Sequence, residues 1–120
     1  MRPLAVVLAV LPFLLGADAP APLPVLEGPW EGAIALPGGE LGIRVLFTRD
    51  ADALRATIDI PAQGAVGLPL KEVRFNAPTV HFELPAGPGL AVFDGKLEAG
   101  AITGAFSQAG FQSTFSMKRL

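Results

Sequence analysis

From Trp30 to Met117 the large apolar residues recur at every second position, and that spacing decides what the chain can build. Trp30, Gly32, Ile34 and Leu36 alternate with Glu31, Ala33 and Ala35. Leu41, Ile43, Val45 and Phe47 alternate with Gly42, Arg44, Leu46 and Thr48, and Leu54, Ala56, Ile58 and Ile60 with Arg55, Thr57 and Asp59. Successive side chains of a strand point to opposite faces, so each run is a strand with one apolar face. An amphipathic helix would need apolar residues three and four apart. The pattern continues through Val73 and Phe75, then Val80, Phe82 and Leu84, then Ala91, Phe93, Gly95 and Leu97. Ile102, Gly104 and Phe106 follow, and Phe111, Ser113, Phe115 and Met117 close the series.

Between the runs lie turn-forming segments at 37–40, 49–53, 61–69, 76–78, 85–89, 98–100 and 107–110, drawing on the 14 Gly and 12 Pro of the chain. Eight short strands joined this way form an antiparallel meander. A flat sheet would leave the apolar face wet and both edges unpaired. Closing the sheet removes both defects, so the expected fold is all-β, a small eight-stranded antiparallel up-and-down barrel. A two-sheet sandwich is the other fold this pattern can build. Alternate connections of such a barrel share an end, which places 37–40, 61–69, 85–89 and 107–110 on one rim and the shorter turns on the other. Phe47, Phe75, Phe82, Phe93, Phe106, Phe111 and Phe115 all have inward parity. They predict a nearly filled interior with a small pocket. Trp30-Glu31-Gly32, Phe93-Asp94-Gly95 and Gly104-Ala105-Phe106 each set a glycine near a bulky aromatic. That arrangement lets a strand bend at a barrel corner, and an internal repeat is the alternative.

Composition limits the chemistry. Apolar residues make up 51% and charged residues 17%, enough to bury a core. There is no Cys and one His, which excludes disulfides, thiolate sites and His-cluster metal sites, so no metal or cofactor is expected. With 9 Lys+Arg against 11 Asp+Glu, and no basic stripe, nothing could neutralise phosphates, so nucleic acid is not an expected partner. Residues 1–17 combine Arg2 with an apolar run over 3–15. That run is shorter than the ~20 residues a membrane span needs, but it suits a signal peptide. Pro20, Pro22 and Pro24 then make 18–27 a stiff linker, leaving 28–120 as the barrel domain. The expected destination is export, to the periplasm or beyond the cell, with membrane contact through the signal peptide alone.

Gly28-Pro29-Trp30 on the first strand, with a basic residue ending the last, resembles the G-x-W signature of lipocalin-like (calycin) barrels. Further stretches are Asp59-Ile60-Pro61-Ala62-Gln63-Gly64-Ala65 and Gly104-Ala105-Phe106-Ser107-Gln108-Ala109-Gly110. With these, 27–120 is similar to a barrel module that precedes α/β-hydrolase or other serine-hydrolase domains in secreted bacterial proteins. The resemblance implies a non-catalytic accessory or binding module that takes a small apolar ligand or a serine-hydrolase domain. The alternative is a detached N-terminal fragment of a secreted serine hydrolase. No G-x-S-x-G or S-x-x-K pattern surrounds Ser107, Ser113 or Ser116. His81, outward on its strand, is expected to be solvated rather than a base for Asp59 or Asp94 to orient. No catalytic residue and no enzymatic activity are therefore expected. Asp59, Gln63 and Gln108 are the candidate contacts at one rim. Trp30 and Arg119, which share inward parity on the first and last strands, are candidates for closing the other end by a cation–π contact.

Overall fold

The computed structural model describes residues 25–86 and 88–120; the expected signal peptide over 1–17 and linker residues 18–24 lie outside them. Nine strands follow one another: β1 (Gly28–Leu36), β2 (Gly39–Asp50), β3 (Ala53–Ile60), β4 (Ala65–Pro69), β5 (Lys71–Asn76), β6 (Thr79–Ala86), β7 (Gly89–Glu98), β8 (Ala101–Gln108) and β9 (Phe111–Arg119). All pairings are antiparallel, in the order β4-β3-β2-β1-β9-β8-β7-β6-β5. The last strand returns to the first, with Trp30 opposite Arg119 and Ile34 opposite Phe115. The result is a nearly closed barrel.

The ninth strand corrects the expected count of eight. Residues 61–69, expected as one loop, contain a 3₁₀ turn, Pro61–Gln63, and then β4, which pairs with β3. The strand expected around Val73 and Phe75 is therefore the second half of a longer run that breaks at Leu70. Pro69 has no N–H to continue a ladder, and Glu72 adopts a left-handed φ of 50°. At the corner, Leu70 turns its side chain into the core and donates its N–H to the Ala56 carbonyl at 2.9 Å. The first half of the run stays on β3 and the second half crosses to β6, which nearly closes the wall. The other connections also shrink, to residues 37–38, 51–52, 77–78, 87–88, 99–100 and 109–110, because the ladders run right up to the turns. Longer and shorter connections no longer distinguish the two ends.

Inward positions are filled as alternation dictates. Trp30, Ile34, Ile43, Val45, Phe47, Ile58, Val80, Phe82, Phe93, Ile102, Phe115 and Met117 are all buried, and among the described residues no polar side chain is. Phe82 stacks on Phe93 at 4.6 Å between ring centroids, and Phe47, Phe106 and Phe115 meet this pair edge-on. Phe75 is only partly buried, and Phe111 lies exposed at the end of its strand. The glycines next to aromatics sit where neighbouring strands crowd. A Cβ on Gly32 would fall 1.8 Å from the Ser116 carbonyl oxygen, and one on Gly104 would fall 2.0 Å from that of Asp94. Gly104 and Gly95 face one another across β7 and β8. This close approach, which no side chain fits, accounts for the aromatic–glycine spacing.

Candidate functional site

The connections at 37–38, 61–64, 87–88 and 109–110 form one end of the barrel, the mouth. Below them lies a cavity of about 120 Å³, lined by Ile34, Leu41, Ile60, Leu68, Leu84, Ala91, Phe93 and Phe106, with Gln63, Pro88 and Gln108 at its edge. The cavity is small because the phenylalanine cluster fills the barrel beneath it. Larger hollows of about 590 and 510 Å³ lie outside the barrel. One runs along the outer wall of β1 and β9, and the other lies at the seam where β3 faces β5.

Gln63, from the 3₁₀ turn, and Gln108, from the end of β8, thus line one cavity. Gln108 also holds the wall together: its Nε2 donates to the Gly89 carbonyl at 3.1 Å, tying the end of β8 to the start of β7. Asp59 is not brought to this cavity. By alternation it lies on the outer wall, opposite Arg44, and its Oδ1 accepts the Gly67 N–H at 2.6 Å. That bond secures the register shift between β3 and β4, where Gly64 and Gly67 take the left-handed conformation at φ 68° and 65°.

At the base, residues 25–27 lie across the barrel end. Leu26 is fully buried, and its carbonyl accepts the Trp30 indole Nε1–H at 2.9 Å. The Arg119 guanidinium sits 4.5 Å from the centre of the indole ring. Its Nη1 and Nη2 donate to the Glu27 and Val25 carbonyls, both at 2.7 Å. One planar cation therefore covers the indole and satisfies two backbone oxygens of the strap. Gly28 leaves room for it, since a Cβ there would lie 2.9 Å from Nη1. Arg49 anchors the strap from β2 through Glu27, at 2.8 Å. That hydrogen bond, helped by the backbone N–H of Glu27, holds the Glu27 carboxyl below its ordinary pKa.

His81 departs from the expectation of a solvated side chain. It is 14% exposed and is clamped on the wall between Asp94, 2.5 Å from Nδ1, and Glu83, 2.7 Å from Nε2. Asp94 is its direct cross-strand partner on β7, and Glu83 is the next residue on the same face of β6. Burial pulls the imidazole pKa down, but the two carboxylate hydrogen bonds outweigh it and leave the pKa raised. With both ring nitrogens engaged, this imidazole has no nitrogen to offer a nucleophile. Ser113 donates its hydroxyl to the Ala35 carbonyl at 2.6 Å, across the β9–β1 seam. No family model, curated protein or solved structure matches the chain.

Proposed function

We propose that the barrel is a non-catalytic, exported accessory module that holds a small apolar group in its mouth, as its resemblance to the lipocalin-like modules of secreted hydrolases implies. The carrying observation is the cavity of about 120 Å³ with eight apolar side chains around it and two glutamines at its edge. An apolar cavity of about 150 Å³ stays dry and takes up benzene, so this one suits an aromatic ring or a short alkyl end. Gln63 offers an amide to whatever polar group protrudes, while Gln108 steadies the wall. A separate hydrolase domain carrying such an acyl or aryl group is the partner this reading fits.

The test is ligand-observed NMR with benzene and short-chain amides. Binding at about 0.1–1 mM is expected, given how few atoms the site can contact. Ala91→Leu, which extends a buried side chain into the cavity, should abolish the signal while the melting curve stays cooperative. Absence of binding to the unaltered protein, or binding indifferent to Ala91→Leu, would overturn the reading.

A further inference from the structure

The mouth has a second property that a cavity does not require. The segments around it, 36–39, 60–69, 84–91 and 106–112, contain no Asp, Glu, Lys, Arg or His. Among the described residues the ionisable side chains belong to the wall and the base, and the nearest carboxylates, Glu40 and Asp59, occupy outward positions on β2 and β3. Within this neutral collar, one large exposed apolar side chain lies on a strand beside each of the four connections: Leu36 (39%), Val66 (78%), Leu90 (47%) and Phe111 (36%). The remaining exposed large apolar residues are scattered, with Val25 and Leu120 at the base and Leu46 on the wall. Exposed prolines 37, 61 and 88 extend the apolar collar.

Exposed apolar side chains gathered at one end of a domain mark a docking surface. The geometry points to a lipid bilayer as its occupant: the mouth settles face-down on a zwitterionic membrane, with Leu36, Val66, Leu90 and Phe111 reaching into the headgroup–acyl boundary. Charge decides between partners. Specific protein interfaces take most of their binding energy from Trp, Tyr and Arg anchors, and this collar has none of the three. Attraction to anionic lipid needs Lys or Arg at the contact, and here they are absent too, while the whole chain carries −2. What remains is burial of apolar area in an uncharged medium, which is what an interfacial membrane contact supplies. The docking stands on the collar itself and does not depend on whether the cavity takes a ligand.

Flotation of the purified chain with phosphatidylcholine vesicles, at low and high salt, tests this. The protein should float with the vesicles equally at both salt concentrations, and no better when anionic phosphatidylglycerol is added. Each lost apolar anchor should weaken partitioning about tenfold, so the triple variant Val66→Asp, Leu90→Asp, Phe111→Asp should stay in the aqueous fraction. None of the three lines the cavity, but Phe111 meets Phe106, which does, edge-on. The double variant Val66→Asp, Leu90→Asp should therefore keep its benzene binding and its melting temperature while floating far less than the unaltered chain. Failure of the unaltered chain to float, flotation that survives the triple substitution, or flotation that needs anionic lipid and vanishes in salt would overturn the inference. So would sedimentation showing a dimer that the triple variant dissolves, because the collar would then belong to a second copy.

Discussion

At the scale of single residues, polar side chains do their work in pairs that the register creates. His81 is the clearest case. Asp94 lies directly across the ladder from it and Glu83 two residues along, and the two carboxylates together stabilise the imidazolium. The folded-state pKa is raised above the unfolded value of 6.5. The clamp's contribution is therefore complete below about pH 6.5 and is lost as pH rises through the folded pKa. Thermal melts across pH 5–9 should show stability falling over that upper range. His81→Gln should flatten the slope and lower stability mainly on the acid side. A melt of the unaltered protein with no such slope would remove the clamp's energetic role. The sequence placed His81 correctly on the outer face. It did not show the clamp, because a partner fixed by cross-strand register appears only once the pairing of β6 with β7 is known.

At the scale of elements, strands and turns were legible because period two and Gly/Pro punctuation are local signals. Where the fold departs, a non-local bond decides. The break at Leu70 depends on the Ala56 carbonyl, fourteen residues earlier, capturing a single N–H, and no local pattern records that choice. The glycines lie between these cases. Their spacing beside aromatics was readable, but their necessity comes from the neighbouring strand. Gly104→Ala would drive a methyl group against the Asp94 carbonyl and the Gly95 Cα. Forcing β7 and β8 apart should cost about 3 kcal/mol, readable as a lowered denaturation midpoint. Gly38→Ala meets no neighbouring atom and should cost only the strain of its left-handed φ of 80°, about 1 kcal/mol. Equal losses at the two positions would contradict the crowding argument.

At the scale of the whole molecule, the two ends differ in kind: one is capped by a strap and a cation, and the other is open and neutral. Trp30 and Arg119 could be paired from the sequence because closure makes the first and last strands neighbours. The strap's role could not be, since 25–27 carry no strand signal and are held by backbone carbonyls. Arg119→Ala removes a partly exposed cation–π contact and two hydrogen bonds to the strap. A loss of about 1–2 kcal/mol is expected, or about 5 °C in melting temperature for a domain this size. Arg119→Lys should recover little of it, because an ammonium cannot cover the indole and reach both carbonyls in one plane. An unchanged melting temperature in Arg119→Ala would show that the base closes without it.

The pairing of β1 with β9 also has a mechanical side. Residue 28 begins β1 and residue 119 ends β9 at the same end of the barrel, on adjacent antiparallel strands. A force pulling the two chain ends apart acts across the ladder rather than along it, so it first loads the Arg119 guanidinium's bonds to the strap and the Leu120 N–H bond to the Pro29 carbonyl. The ladder bonds above are then loaded in turn, Glu31 with Lys118 and then Ala33 with Ser116. Held by its ends, the barrel opens like a zipper, and the stacked guanidinium is its first tooth.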